Sequence, residues 1–315
     1  MDLTPSLLRT LSLLLCGLCG ATSCVAPAVH GHTTKELLWP TGAPGAKGER
    51  RRDRPQLYYF APNEAVRTDV AVVIAGGGSY GHQGGIRVEA IPAAKWLAAR
   101  GISAIVVRYR VGKGGRYDHR HFLADGARAL QRVRERADEL GVDPHRIGMM
   151  GFSAGGHLAV SLAARCSTPA DAEIPPIELP SDLPDTSCRP DFAVAIYPVV
   201  TLQPGVAHER SVSNLLPTQE SREALEPTLS LEQVVSPTTA PVFLVHSSLD
   251  KKVDPRNSDL LHDALVEEGV KVEYLRPDDG GHGVGLAQSR RMPQMAQWPD
   301  AMLRWLESLG ILGRA

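Results

Sequence analysis

The junction Gly151-Phe152-Ser153-Ala154-Gly155 constrains the fold of this chain more than any other stretch. A short apolar run, Arg146-Ile147-Gly148-Met149-Met150, leads into it, and a helix-forming run from Gly155 to Ala164 leads out. A strand that turns straight into a helix forces its turn residue into a sparsely populated backbone conformation. It also brings chain segments close together, so small residues must flank the turn; Gly151 and Gly155 supply them. Ser153 would then stand exposed at the end of a strand, where a serine can serve as a nucleophile.

The rest of the chain supports a layered fold around that junction. From Leu57 onward, apolar runs alternate with amphipathic ones. Residues 70–74, 102–107, 147–150, 192–197, 242–246 and 270–275 read as strands. Residues 90–100, 122–140, 258–268 and 296–309 read as helices; in the second of these, Leu123, Ala127, Leu130, Val133 and Ala137 recur at helical spacing. Gly141 ends that helix. A βαβα order of this kind predicts an α/β class with a mostly parallel central sheet and helices on both faces. Two segments interrupt the alternation: the polar, proline-rich stretch between Cys166 and Cys188, and the stretch from Thr201 to Ala240. Short helices are expected at 221–225 and 229–234. Both segments are candidates for a cap or rim on the side where ligands bind in open α/β sheets.

The N-terminus reads as a leader. Arg9 precedes a short apolar run, Leu11 to Cys19, too short for a comfortable membrane span. Residues 1–28 are therefore expected to be an export signal. Two processing routes fit: cleavage after the small residues ending at Ala28, or a lipoprotein-type cut before Cys24 that leaves a lipid anchor on that cysteine. Residues 29–56, rich in Gly, Pro and Arg, read as a tether or edge segment, and 57–315 as the α/β domain. Of 5 cysteines, only Cys166 and Cys188 lie beyond the leader, and an even pair in an oxidising compartment predicts a disulfide. The balance of 34 Lys and Arg against 35 Asp and Glu gives no overall field that would favour nucleic acid.

An exposed serine needs a base, an orienter for the base and donors for a developing oxyanion. Asp250 follows the strand at 242–246 by a short polar loop, which puts a carboxylate at a strand's C-terminal end. Its rivals are Asp254, Asp278 and Asp279, with Asp254 reading as a turn or helix-entry residue beside Pro255. His282 lies in Gly280-Gly281-His282-Gly283, where glycines let a loop histidine approach the serine. His157, His246 and His262 are the alternatives, the first two reading as local hydrogen-bonding groups. The backbone N–H of Ala154 and those of the Gly76-Gly77-Gly78 loop, Gly77 and Gly78 above all, are the expected oxyanion donors. Tyr80 and His82 are candidate substrate contacts. The chemistry calls for no metal or cofactor.

These residues together resemble an α/β-hydrolase of the hormone-sensitive-lipase/acetyl-esterase type. They are most similar to the bacterial acetyl xylan esterase and feruloyl-esterase-like group labelled BD-FAE. The resemblance is carried by Gly76 to Tyr80, Arg108-Tyr109-Arg110, Asp125, Asp143 to Gly148 leading into Gly-Phe-Ser-Ala-Gly-Gly-His-Leu-Ala, Arg189 to Phe192, Tyr197-Pro198, Asp250 with Val253, and Gly281 to Leu286. It covers about Leu57 to Leu309 and implies an α/β-hydrolase fold and the triad Ser153–Asp250–His282. Ser79 intervenes where the family loop commonly reads Gly-Gly-Gly-Tyr, which leaves the second oxyanion donor open. The implied activity is ester hydrolysis, with an exported enzyme that removes acetyl groups from a polysaccharide such as xylan as the leading expectation. A general short-chain carboxylesterase or lipase-like enzyme, a prolyl-oligopeptidase-type peptidase and a non-catalytic adhesion module are the alternatives. The peptidase type usually carries a large propeller before its hydrolase domain, and the adhesion module usually lacks a triad member.

Overall fold

The structure, a computed structural model, describes residues 33–166, 177–289 and 291–313. The leader, Cys24 and residues 167–176 of the stretch between the two cysteines lie outside the described residues.

Eight strands form one sheet: β1 (Thr33–Leu37), β2 (Gln56–Phe60), β3 (Ala71–Ala75), β4 (Ser103–Arg108), β5 (Ile147–Phe152), β6 (Ala193–Ile196), β7 (Val242–Val245) and β8 (Val272–Leu275), in the order β1-β2-β4-β3-β5-β6-β7-β8. β1 pairs with β2, and β2 with β4, antiparallel; every later pairing is parallel. The sheet is covered by α1 (Ile91–Ala98), α2 (His119–Glu135), α3 (Ala137–Leu140), α4 (Ala154–Arg165), α5 (Glu209–Leu215), α6 (Gln219–Leu229), α7 (Arg256–Glu267) and α8 (Trp298–Ser308). This is the α/β-hydrolase fold.

The pattern of the strands explains the layering. Side chains alternate across a strand, so a strand covered on both faces must be apolar throughout. All five residues of β3 are buried. Ala71, Val73 and Ala75 face Leu123, Leu130, Leu158 and Leu162 of α2 and α4, whereas Val72 and Ile74 face Ala94 and Leu97 of α1 and the α8 side of the core. A further cluster, with Ala195, Leu244, Leu261 and Leu265, closes the core beneath α7.

Of the two readings of 29–56, tether or edge segment, the residues from Thr33 onward follow the second: they are part of the fold. β1 adds an edge strand to β2, and Leu38 and Trp39 are buried in the core. Trp39 Nε1 donates to Asp125 Oδ1 at 2.8 Å, and Asp125 in turn holds the buried Arg110 through Nε and Nη2. Asp53, also buried, accepts from Tyr117 Oη at 2.6 Å and from Arg116 Nε at 2.9 Å. The Gly- and Pro-rich composition hid this packing because the loop is held by polar contacts to distant residues, not by periodic apolar ones.

Candidate active site

Ser153 sits between β5 and α4 with φ 54° and ψ −119°, a left-handed conformation for a residue with a side chain. Such a conformation costs about 1–3 kcal/mol and persists only where its surroundings enforce it. They do so by contact. A Cβ on Gly151 would lie 1.8 Å from the Gly155 carbonyl oxygen, and one on Gly155 would lie 2.2 Å from that of Ala75. Strand, turn and helix are thus too close to admit any side chain at either glycine.

The loops after β7 and β8 bring Asp250 and His282 to this turn. His282 Nε2 lies 2.9 Å from Ser153 Oγ, and His282 Nδ1 lies 2.7 Å from Asp250 Oδ2. A carboxylate only accepts, so Nδ1 carries the ring proton and Nε2 is left to accept the serine hydroxyl. The Asp250 Oδ1 atom accepts the backbone N–H of Lys252 at 2.8 Å and of Val253 at 3.1 Å. Burial alone would raise the Asp250 carboxyl, but hydrogen bonds from His246 and His282 hold it well below the usual carboxylate range. It is therefore an anion at any working pH and stabilises positive charge on the imidazole it faces.

His246 is fully buried beside Asp250. Its Nε2 lies 3.2 Å from both Asp250 Oδ2 and the Val253 carbonyl, and its Nδ1 lies 2.8 Å from Ser258 Oγ. The sequence marks it as a local hydrogen-bonding group, and the group it bonds is the carboxylate that orients His282. Asp254, the rival acid, instead accepts the N–H of Arg256 at 2.9 Å and pairs with its guanidinium at the start of α7.

The glycine loop after β3 lies directly over the turn: a Cβ on Gly77 would be 3.0 Å from Ser153 Cβ. Its donors differ from expectation at one position. The Gly77 N–H is taken by the buried Glu89 carboxylate at 2.8 Å, so Gly77 is not an oxyanion donor. The N–H groups of Gly78 and Ala154 have no hydrogen-bond partner among the described residues. Asn214 Nδ2 donates to the Ser79 carbonyl at 2.9 Å, tying α5 to the same loop.

The two candidate substrate contacts separate. Tyr80 is buried, stacked on Phe122 with ring centroids 5.0 Å apart, and its hydroxyl lies 2.8 Å from His157 Nδ1. With no exposed surface it cannot touch a substrate; it holds the loop from beneath. His82 is exposed, and its Nδ1 accepts the Gly84 N–H at 3.1 Å. His157 Nε2 lies 2.8 Å from the Leu229 carbonyl, so it carries the proton there and its Nδ1 accepts from Tyr80. Burial pushes its imidazole down to about 4.

The Thr201–Ala240 stretch reaches the edge of the site. Its helices are α5, α6 and a short 3₁₀ turn, Leu231–Gln233, so α5 is an element the periodicity did not reveal. His208, just before α5, is partly buried; burial and the nearby charges of His282 and Lys252 hold its imidazole below the ordinary value. Cys166 and Cys188 are joined by a disulfide with Cα atoms 5.6 Å apart. Glu89 and Tyr197 are the site residues that sequence reasoning did not single out for a role. Tyr197 carries one weak signal, its place at the end of a strand before Pro198; Glu89 carries none.

A family model described as BD-FAE matches residues 57–265. Among curated relatives, an endo-1,4-beta-xylanase B of Butyrivibrio fibrisolvens is 31% identical over 237 residues, covering 74% of this chain and 35% of that protein. An acetylxylan esterase of Xylanibacter ruminicola is 27% identical over 235 residues, covering 74% of this chain and 44% of that protein. The chain thus spans less than half the length of either. The solved structure of an acetyl ester-xyloside bifunctional hydrolase from Caldicellulosiruptor lactoaceticus is 34% identical with a TM-score of 0.73, covering 90% of this chain and 98% of that one. A carboxylesterase from Lactobacillus plantarum shares the fold at 22% identity, with a TM-score of 0.72 and 90% and 100% of the two chains covered. The family match spans the sheet from β2 to β7, the turn at Ser153 and the Asp250 loop, and this chain belongs to the BD-FAE family.

Proposed function

We propose that this chain is an exported serine carboxylester hydrolase that removes short acyl groups, acetyl foremost, from a polysaccharide such as xylan. The observation that carries the reading is the hydrogen-bonded chain from Ser153 Oγ through His282 to Asp250. Ser153 Oγ attacks the ester carbonyl while His282 Nε2 takes its proton, and the alkoxide oxygen that develops is held by the N–H groups of Ala154 and Gly78. His282 then protonates the sugar's ester oxygen, which departs as the hydroxyl and leaves an acyl-Ser153. Water, deprotonated by His282, attacks that acyl group; the bond to Ser153 Oγ breaks, His282 returns the proton to Oγ, and the acid is released. Asp250 keeps the proton on Nδ1 throughout and stabilises the imidazolium.

The acetyl-xylan substrate is supported by the acetylxylan esterase of X. ruminicola and by the acetyl ester-xyloside hydrolase of C. lactoaceticus. Export is supported by the apolar run after Arg9 and by the cysteine pair. The test is acetate release from acetylated xylan, beside ferulate release from feruloylated arabinoxylan and turnover of 4-nitrophenyl acetate, for the wild type and Ser153→Ala. Ser153→Ala should lower kcat by about 10⁴-fold or more while remaining folded, because the covalent route is lost. Near wild-type turnover by the folded variant would overturn the reading, and ferulate release well ahead of acetate release would replace the acyl group.

A further inference from the structure

Glu89 is 4% exposed and lies on a π-helical turn, Ile86–Ala90, between the glycine loop and α1. Single π-helical turns recur at functional sites, where the wide turn re-aims a side chain. No cation pairs with the Glu89 carboxylate among the described residues. Burying a carboxylate without a counter-charge is costly unless hydrogen bonds hold it. Two do. Oε2 accepts the Gly77 N–H at 2.8 Å, and Oε1 accepts the Tyr197 hydroxyl at 3.0 Å. The Tyr197 oxygen in turn accepts the N–H of Gly285 at 3.0 Å, three residues past His282. The Tyr197 ring also packs against the His282 ring with centroids 4.8 Å apart.

We propose that Glu89 and Tyr197 are positioning residues for the reaction: one buried brace that sets the oxyanion loop and the base loop in a single arrangement. This rests on the serine-hydrolase reading above. The argument at the oxyanion loop is one of peptide planes. The Gly77 carbonyl accepts the Gly85 N–H at 3.2 Å. A trans peptide is planar, so fixing that carbonyl fixes the Gly78 N–H on the opposite side of the same plane. The preceding plane is fixed by the Gly77 N–H on Glu89. Both planes that flank Gly77 are therefore held by the turn from Gly85 to Glu89, which leaves the Gly78 N–H directed away from that turn and without a partner among the described residues. At the base loop, Tyr197 does the same for Gly285. Burial and the Glu89 charge raise its phenol well above the ordinary value, so it remains a hydroxyl and donates to Glu89 while accepting from Gly285. Catalytic donors that are already aimed need no reorganisation when charge develops, which is where an oxyanion hole acts.

The test uses Glu89→Leu, Glu89→Gln and Tyr197→Phe in the full chain, with 4-nitrophenyl acetate as substrate and phenylboronic acid as the mimic of the tetrahedral intermediate. Glu89→Leu should lower kcat by about 10²-fold, the loss expected for one oxyanion donor, with KM within about threefold. The inhibition constant of the boronic acid should rise in step with the loss in kcat. Glu89→Gln, whose carbonyl can still accept the Gly77 N–H, should recover to within about tenfold of wild type. Tyr197→Phe should lose about tenfold in kcat with KM unchanged. A folded Glu89→Leu within threefold of wild type, a loss confined to KM, or a glutamine variant as impaired as the leucine one would overturn the brace. If Glu89→Leu does not fold, Tyr197→Phe decides: kcat and boronate affinity within threefold of wild type overturn it. Hydrogen exchange separates this outcome from failure of the esterase reading, because it needs no turnover. In Tyr197→Phe, and in Glu89→Leu where it folds, amides in segments 76–80 and 283–287 should gain exchange together. A change in one segment alone would sink the coupling even if no ester is hydrolysed, and coupled exchange in a protein inactive on every ester would uphold the brace and remove the esterase.

Discussion

Asp250 and Asp254 lie four residues apart, and their surroundings separate them completely. Asp250 is 6% exposed and accepts four hydrogen bonds, two from histidines and two from backbone N–H groups. Asp254 faces solvent beside Arg256, where an exposed pair contributes little. Asp250→Asn replaces the acceptor of the His282 Nδ1 proton by an amide that can present an N–H, which favours the wrong imidazole tautomer. By analogy with the serine-protease template this should cost about 10⁴-fold in kcat. Asp254→Asn should change kcat by less than about threefold. Steady-state kinetics on 4-nitrophenyl acetate rank the two, and a reversed order would assign the acid elsewhere. Ser153, Asp250 and His282 were legible because each carries a local mark: a glycine-flanked serine, a polar loop after an apolar strand, a histidine padded by glycines. Glu89 has no such mark. In sequence it is one acid ahead of a helix, indistinguishable from a solvated residue, and only the π-helical turn and Tyr197, just past the end of β6, bring it under the glycine loop.

At the level of elements, buried polar links hold the cap to the sheet. His157 of α4 joins the Tyr80 hydroxyl beneath the glycine loop to the Leu229 carbonyl at the end of α6. Its folded value of about 4 lies below the unfolded 6.5, because burial penalises the imidazolium. Between those values the unfolded chain binds the extra proton, so stability rises with pH across the window and is lost as pH falls from about 6.5 toward about 4. The contribution is at most about 3 kcal/mol. Urea midpoints of wild type and His157→Gln, taken between pH 7 and 4.5, should therefore converge as pH falls; a constant difference would show that His157 is not held neutral. The cysteine pair acts on the neighbouring stretch. It closes a loop of sequence separation 22 just past α4, and the chain ahead of Cys188 is pinned to α2 through Gln131 to the Thr186 carbonyl. Closing such a loop is worth about 3 kcal/mol in the chain-entropy model. Non-reduced peptide mapping of protein produced through an oxidising export route should find Cys166 and Cys188 linked, and two alkylatable thiols there would remove the bond. β1 shows what element-level reading cannot reach. Its Thr33–Leu37 segment is short and mostly polar, and it becomes a strand only because β2 offers an antiparallel edge, a partnership that no local periodicity records.

The molecule as a whole bears on which ester it would take. An α/β sheet with its proposed nucleophile at the end of a central strand leaves substrate choice to the segments that overhang that end. Here the principal overhang is the Thr201–Ala240 stretch, and most of its large apolar residues are already committed to the core. Leu202, Val212, Leu215, Leu216, Leu229, Leu231 and Val234 are all at most 3% exposed. At its edge His208, rather than a large apolar side chain, lies close to His282 and Lys252. A long acyl chain gains affinity by burying methylenes against apolar side chains, at about 0.8 kcal/mol for each. Without such a wall each added methylene gains little, and a carbonyl held close under Gly78 and Ala154 leaves a short acyl group better placed for attack. A two-carbon ester should accordingly exceed an eight-carbon ester in kcat/KM, measured on 4-nitrophenyl acetate and octanoate under matched conditions. Discrimination should be bounded by the about 1–3 kcal/mol per methylene that a pocket wall can impose. If the octanoate is turned over faster, the acyl group is meeting apolar surface beyond the buried residues of this stretch, and a lipase-like reaction displaces polysaccharide deacetylation as the better reading.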